Sequence, residues 1–356
     1  MPRKGYMDQN LPNIFEPSLF ASTSYPAPIP SSLQKWFTIF DNAIVGQIKA
    51  KQALALALAL HEQKIRLSSD IRIPALLLIG PTGSGKSLLS EVVRENSEFP
   101  FTYCAVPTLT NANYKGVSLL SHLRSLTQTS STGIMWIDEL DKLLAKQNQV
   151  SDGFHNAMQH ELIDMLGSRS ISLQGHNDLS QEIDRTTDPS NVLFVFSGAF
   201  VELLDIISKR LGITKKRSMG FGRSLDVLQD SQNTIDLYAQ ATHDDLIEMG
   251  LLPELAGRIG DIAALSVPAE KDYIVFINKN LAEERVKQYS NLIGYEGRSI
   301  TLSEEAIREI AALAVRKSLG YRGIDQIIHM LMRQAIYSTK WNIVLGKEDV
   351  RQILEM

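Results

Sequence analysis

The residues with the clearest chemical purpose form the run Gly80-Pro81-Thr82-Gly83-Ser84-Gly85-Lys86-Ser87. This run has the spacing G-x-x-x-x-G-K-[ST], follows the apolar residues 75–79, and precedes apolar residues at helical spacing that begin with Leu88. A strand, a glycine loop and a helix allow successive backbone N–H groups to surround a phosphate. We therefore predict a nucleotide-binding loop, with Lys86 at the β- and γ-phosphates and the Ser87 hydroxyl on magnesium.

An acidic pair follows a second buried strand. Residues 133–137 are apolar and lead directly into Asp138 and Glu139. Carboxylates at the end of a buried strand are costly unless a cation or a reactant lies beside them. We predict that Asp138 holds magnesium and that Glu139 acts as the general base for water attacking the γ-phosphorus. Asp141 has two interpretations, because it either supports this shell or is the acidic start of a helix.

Ser197 ends another apolar run, residues 191–196. Short apolar strands that alternate with helices favour a parallel sheet with both faces covered, and such sheets bind ligands at the carboxyl ends of their strands. Gly80, Asp138 and Ser197 all fall at these ends. Ser197 is therefore a candidate for holding the attacking water, although an ordinary serine-glycine turn would also explain it.

Composition narrows the classes of protein. The chain has 356 residues, 44% of them apolar, which suggests about two domains. A net charge of -4 argues against nucleic acid as the main partner, although the basic segment 209–223 keeps a DNA-handling role open. The single cysteine, Cys104, excludes a disulfide framework and a multi-cysteine zinc site, so we expect a reducing, cytoplasmic setting. No apolar run approaches the ~20 residues of a membrane span.

The pattern along the chain suggests three parts. Residues 1–35 are rich in proline, serine and asparagine, and we expect a flexible arm. Residues 36–266 contain the predicted strands and helices of a large α/β domain with a parallel sheet. Residues 267–356 contain amphipathic helices and are expected to form a smaller, mainly α-helical domain.

Two further motifs surround arginines. Arg258 follows Pro253-Glu254-Leu255-Ala256-Gly257, and Arg322 lies in Gly320-Tyr321-Arg322-Gly323. Helical periodicity alone would make both of them surface cations. However, the phosphate loop, the run 137–142, the turn 197–200 and these two arginine motifs occur in one characteristic order. Because of these motifs and their order, residues 36–356 resemble the ClpX family of AAA+ unfoldases.

The resemblance implies an AAA+ P-loop ATPase that uses ATP and Mg²⁺ in a homo-oligomeric ring, a hexamer. It implies that Arg258 is an arginine finger acting on the neighbouring subunit's nucleotide, and that Arg322 reaches the nucleotide of its own subunit. Ile44 and Val45 match the pair that lines the adenine pocket, and Leu88 continues the nucleotide contacts of the phosphate loop.

The resemblance also implies partners. Tyr114, followed by Lys115, matches the aromatic residue of a pore loop that grips polypeptide substrates, and Met219-Gly220-Phe221 matches a tripeptide that docks on a ClpP-type peptidase. Lys115 and Asn113 depart from the family pattern, so substrate choice is expected to differ. The predicted function is ATP-driven protein unfolding and translocation, with delivery to a peptidase. The alternatives are a remodeller of complexes that works without a peptidase and a DNA-handling AAA+ ATPase.

Overall fold

The structure is a computed structural model that describes residues 30–109, 118–144, 149–168, 171–172, 186–213, 237–281, 299–317, 319–337 and 342–355. Residues 1–29 of the predicted flexible arm lie outside these ranges, and so do two sets of predicted functional residues. They are the pore residues Tyr114 and Lys115 and the docking segment Met219-Gly220-Phe221. Among the described residues, no helix combines the length and the apolar character needed to cross a membrane.

The larger part of the molecule is built on a five-stranded parallel sheet. Its strands are β1 (Ala75–Ile79), β2 (Phe101–Ala105), β3 (Gly133–Asp138), β6 (Val192–Gly198) and β7 (Ile259–Ala264), with a short antiparallel pair, β4 (Ile171–Ser172) and β5 (Thr186–Thr187), outside the sheet. The order across the sheet is β2-β3-β6-β1-β7. The predicted parallel sheet is thus confirmed, and its strand β1, which lies between β6 and β7, leads directly into the phosphate loop.

Helices cover both faces of this sheet, as its apolar strands require. One face packs against α1 (Ser31–Ala43), α2 (Ile48–Arg66) and α3 (Lys86–Asn96). The other packs against α4 (Leu119–Thr129), α5 (Gln149–Gly167), α6 (Leu203–Arg210), α7 (His243–Met249) and α8 (Pro253–Ala256). Side chains alternate between the faces, so that Leu76 and Leu78 belong to the first core and Leu77 and Ile79 to the second.

The first helix begins earlier than the sequence suggested. The composition of residues 31–35 predicts part of the flexible arm, but these residues form the first part of α1. The reason is the packing of the helix, because Trp36 and Phe40 are fully buried and the Trp36 indole nitrogen donates a hydrogen bond to Glu62 of α2, 2.7 Å away. Tertiary burial therefore extends the helix into a segment whose composition is typical of loops.

The smaller part of the molecule has its own apolar core. Its helices are α9 (Glu270–Phe276), continued by a π-helical turn (Ile277–Leu281), α10 (Glu304–Arg316), α11 (Gly320–Ile336) and α12 (Lys347–Glu355). A two-stranded parallel sheet, β8 (Ser299–Leu302) with β9 (Asn342–Leu345), joins them. We refer to this part as the small helical part. The predicted boundary between residues 266 and 267 falls in its connection to β7.

Candidate nucleotide-binding site

A cleft of about 690 Å³ lies between the carboxyl edge of the sheet and the small helical part. Its volume is in the range of pockets that hold ligands of nucleotide size. Residues of both parts form its walls, and they include Gly83, Lys86, Ser87, Asp138, Glu139, Gly198, Phe276, Leu319 and Tyr321. The fold therefore brings the phosphate loop and the acidic pair to one site, as their positions at strand ends predicted.

The phosphate loop has the backbone that its glycines allow. Gly83 and Gly85 have φ values of 82° and 108°, a left-handed region that side chains other than glycine rarely adopt. Helix α3 begins at Lys86, so its free N–H groups face the cleft end of the loop. The Lys86 ammonium donates hydrogen bonds to the carbonyl oxygens of Gly80 (2.5 Å) and Pro81 (2.9 Å), which places a cation over the loop.

The same glycines also leave room for the rest of the chain, which the sequence did not indicate. A Cβ atom on Gly83 would lie 2.7 Å from the Cα atom of Gly320, the first residue of α11. A Cβ atom on Gly80 would lie 2.5 Å from the carbonyl oxygen of Leu265, which follows β7. The loop is therefore packed against both the small helical part and the connection to it.

A chain of hydrogen bonds holds the carboxylate of Asp138. Its two oxygens accept hydrogen bonds from the hydroxyls of Ser197 (2.5 Å) and Tyr103 (2.7 Å). Ser197 in turn accepts from the indole nitrogen of Trp136 at 2.9 Å. The register explains this cluster, because Tyr103 and Val195 pair with Trp136, so that Asp138 and Ser197, two residues further along, share its face of the sheet.

This network changes the interpretation of Ser197. Its side chain is fully buried, and its hydroxyl hydrogen is directed to Asp138. The geometry therefore favours a residue that orients the Asp138 carboxylate over one that holds the attacking water. Sequence reasoning missed Tyr103 and Trp136 as parts of this network. Residues 136 and 138 are two apart on one strand and therefore lie on the same face, which was a usable signal for Trp136.

Glu139 has the placement expected of a reactive group. It is exposed, whereas Asp138 and Leu140 on either side are buried. Its backbone is left-handed, with φ 58°, which is uncommon for a residue with a side chain and is often found at functional sites. The Glu139 side chain forms no capping hydrogen bond with the 3₁₀-helix Leu140–Leu143 that follows it. A simple acidic helix start does not account for it.

Asp141 supports the neighbouring strand end. Its carboxylate accepts a hydrogen bond from the backbone N–H of Ala199 at 3.2 Å and pairs with Lys142 at 3.3 Å. A Cβ atom on Gly198 would lie 2.5 Å from the same carboxylate. Of the two interpretations of Asp141, this geometry favours support of the site, since the side chain links the ends of β3 and β6.

The donors of the cleft fit a magnesium ion. Asp138 and Ser87 line the cleft and supply carboxylate and hydroxyl oxygens, the hard ligands that Mg²⁺ prefers. Within the described part of the chain, no group of three or more His, Cys, Asp or Glu residues could hold a metal by itself. Protein sites commonly bind Mg²⁺ through one or two carboxylates together with substrate phosphates, and Asp138 supplies one such carboxylate here.

Comparisons with known proteins agree with this site. Residues 76–212 match the profile of the ATPase family associated with various cellular activities (AAA). The ATP-dependent Clp protease ATP-binding subunit ClpX of Treponema denticola is 31% identical over 330 residues, which cover 87% of this chain and 77% of that protein. The chain belongs to the ClpX family. The predicted AAA+ α/β fold and the membership of an ATP-binding family are thereby confirmed.

The two residues matched to the ClpX-family adenine pocket lie in different surroundings. Ile44 is 1% exposed and packs in the core between the sheet, α1 and α2. Val45 packs against the core of the small helical part, and its carbonyl oxygen accepts a hydrogen bond from the Tyr321 hydroxyl at 3.2 Å. Leu88 is half-buried between the same two cores. Tyr321, which lines the cleft, was not assigned a role from the sequence.

The two arginines matched to ClpX-family functions are also placed differently. Arg322 lies in the first turn of α11, next to the cleft-lining Tyr321. Arg258 precedes β7 and therefore lies at the amino edge of the sheet, where its backbone carbonyl accepts from the N–H of Ala75 at 3.0 Å. The structure does not bring Arg258 to the cleft of its own chain.

Proposed function

We propose that this chain hydrolyses ATP with magnesium in a hexameric ring of identical subunits and uses the energy to unfold polypeptides and move them through an axial channel. The observation that carries the proposal is the cleft, in which the phosphate loop and Asp138–Glu139 of one part meet α11 of the other. A ligand that bridges two parts can change their mutual angle when it loses its terminal phosphate.

Each residue of the cleft has a proposed task. Lys86 and the N–H groups at the start of α3 bind the phosphates, and Glu139 takes a proton from the attacking water. Magnesium, held by Ser87 and Asp138, would neutralise charge on the β- and γ-phosphate oxygens. Ser197 and Tyr103 keep the Asp138 carboxylate in position through their hydrogen bonds.

Arg258 is proposed to act on the neighbouring subunit. β7 lies between Arg258 and the carboxyl edge, and its residues Ile259–Ala264 span about 15–20 Å at ~3.3 Å per residue. An arginine side chain is too short to cross that distance within one chain. A neighbour in a ring brings its own cleft to this edge, which makes hydrolysis depend on assembly.

The proposal extends to polypeptides through residues outside the described ranges. Tyr114 and Lys115 would contact the polypeptide in the channel, and Met219-Gly220-Phe221 would dock on a ClpP-type peptidase. The name of the Treponema denticola relative describes a subunit of a Clp protease, which supports a peptidase partner for this chain. If mixing with a ClpP ring produces no co-elution and no degradation of casein, the chain is a remodeller without a peptidase.

The substitution Glu139→Gln tests the ATPase. We expect ATP turnover, measured as phosphate release, to fall by a factor of about 10² to 10⁴, because the general base is lost while the shape of the side chain is kept. Binding of a fluorescent ATP analogue should persist. Glu95→Gln removes a charge from an exposed glutamate at the end of α3 and serves as the control. Normal turnover by the Glu139 variant would overturn the assignment.

The substitution Tyr114→Ala tests the coupling to polypeptides. Casein, used as a polypeptide probe, should stimulate phosphate release by the unsubstituted ring and should no longer do so in the variant. The basal rate without casein should stay measurable in both. Equal stimulation of the two proteins would contradict the pore-loop assignment and leave the ATPase assignment intact.

A further inference from the structure

Gln47 lies at the point where the phosphate loop, the sheet and the small helical part come together. It precedes α2, has a left-handed backbone with φ 55°, and is 8% exposed. A buried glutamine with a strained backbone needs an explanation, because burying its amide is costly unless every polar atom is paired.

The Gln47 amide is fully paired. Its nitrogen donates hydrogen bonds to the carbonyl oxygens of Ser84 (3.0 Å) and Ser266 (2.7 Å). Its oxygen accepts from the backbone N–H of Ser266 (2.9 Å) and from the Ser266 hydroxyl (3.3 Å). A carboxamide has two N–H donors and two acceptor lone pairs, so the side chain uses its whole capacity here.

The two partners of Gln47 belong to elements with different roles. Ser84 is in the phosphate loop and is 1% exposed. Ser266 is in the connection between β7 and α9, directly after Leu265, whose N–H donates to the carbonyl oxygen of Ile79 at 2.7 Å. One side chain thus joins the loop that contacts the phosphates to the connection about which the small helical part would turn.

The residues before Gln47 reach the small helical part as well. The Val45 carbonyl accepts from the hydroxyl of Tyr321, and the Asp41 carbonyl accepts from the ammonium of Lys279 at 3.1 Å. The ring of Tyr321 packs against that of Phe276 in a tilted arrangement, with centroids 4.5 Å apart, and both residues line the cleft. A shift of the phosphate loop that moves Gln47 would therefore act on the connection at Ser266 and, through the residues before Gln47, on the small helical part.

We propose that Gln47 is a positioning residue that transmits movement of the phosphate loop to the connection at Ser266, so that nucleotide binding sets the angle of the small helical part. The inference rests on the proposed nucleotide-driven motion of the two parts. Gln47 does not contact the nucleotide in this scheme. It acts through the Ser84 carbonyl, and its loss should uncouple binding from movement.

The substitution Gln47→Glu is the most specific test, because it keeps the shape of the side chain and removes both of its N–H donors. A carboxylate would then face the carbonyl oxygens of Ser84 and Ser266, which have no hydrogen to offer. Gln159→Glu is the matched control. Gln159 is 1% exposed and its amide also joins two backbone groups, the Gly250 carbonyl and the Leu252 N–H, but it lies on α5 outside the cleft.

The experiment measures the distance between the two parts with and without nucleotide. Spin labels on cysteines introduced at Glu98, whose side chain is 90% exposed, and at Tyr337, 83% exposed, report on the large and small parts. The only native cysteine, Cys104, is buried, and burial raises the pKa of its thiol to about 12, so it stays unlabelled. Labelled chain is diluted into unlabelled ring, and ATPγS is the nucleotide.

We expect ATPγS to change the label distance in the unsubstituted chain and in the Gln159 variant. In the Gln47 variant we expect less than about half of that change, with a dissociation constant for ATPγS within about threefold of the original. A full distance change in the Gln47 variant overturns the inference, and so does a loss of ATPγS binding by that variant alone, since the residue would then act on binding. If the unsubstituted chain binds no ATPγS, the proposed function itself fails.

Discussion

The two edges of the central sheet differ in how many of the groups proposed to act there are brought together within one chain. At the carboxyl edge, the Asp138 carboxylate is held by Ser197 and Tyr103. At the amino edge, the guanidinium of Arg258 lies against the backbone of Gly167, and its Nε atom is buried without a hydrogen-bond partner among the described residues. One edge brings several groups of the same chain together, whereas the other holds the cation that we propose to act on a neighbouring subunit.

The substitution Arg258→Ala tests this comparison and should have the largest effect on ATP turnover. We expect ATP turnover by the assembled ring to fall by a factor of about 10³ to 10⁵, because an arginine finger stabilises charge that develops in the transition state. The control is Arg72→Ala at the same edge, where the Arg72 guanidinium donates to the carbonyl of Leu166 at 3.0 Å. That variant should keep most of its turnover.

Mixing the Arg258→Ala and Glu139→Gln variants tests whether Arg258 acts across the subunit boundary. Arg258→Ala keeps an intact Glu139, and Glu139→Gln keeps an intact Arg258. A ring that contains both variants has some boundaries with both groups, so turnover should recover when the two inactive proteins are mixed. If the mixed ring is as inactive as either parent, Arg258 does not complete a neighbouring site, and the difference between the edges loses its functional meaning.

A smaller effect is expected at the carboxyl edge from Ser197→Ala. Removing the hydroxyl takes one hydrogen bond from Asp138 Oδ1, which keeps the one from the Glu139 N–H, and leaves the Trp136 indole without its partner. Loss of a residue that orients a metal ligand typically costs about 10- to 100-fold in activity or metal affinity. The measurement is turnover as a function of magnesium concentration. Ser208→Ala, at another buried serine on α6, controls for general destabilisation. An unchanged magnesium dependence in the Ser197 variant would contradict its positioning role.

The smallest effect concerns stability at the amino edge. His61 is buried beside Phe99, with ring centroids 4.9 Å apart, and burial together with the charge of Lys64 lowers its pKa to about 4. The unfolded chain, with a histidine pKa of about 6.5, binds the proton first as the pH falls. The free energy of unfolding should therefore decrease between pH ~6.5 and pH ~4, by at most about 3 kcal/mol from this group.

Urea unfolding at pH 7 and pH 5 measures this effect. The substitution His61→Leu removes the titrating group, so the difference in midpoint between the two pH values should shrink. Turnover at pH 7 relative to the folded fraction should not change, since His61 lies away from the cleft. An equal pH difference in both proteins would show that other groups set the acid stability of this edge.

Sequence reasoning found the carboxyl edge because its residues follow strands whose apolar character is plain. The phosphate loop, Asp138 and Glu139 each come after a buried run, and strand ends of a parallel sheet meet at one edge. The sequence leaves the roles of Ser197 and Asp141 open, because a strand end does not show where a side chain points. In the structure, Ser197 donates to Asp138 at the end of the neighbouring strand, and Asp141 accepts from the N–H of Ala199, directly after β6.

The amino acid sequence by itself determined the sheet, the loop and the acidic pair, because each depends on local spacing and on the period of a strand or a helix. Only the tertiary structure placed Gln47 between Ser84 and Ser266, Gly83 against Gly320, and Arg258 at the edge away from its own cleft. These relations join residues far apart in the chain, and they arise from packing and hydrogen bonding in three dimensions, which no local pattern records.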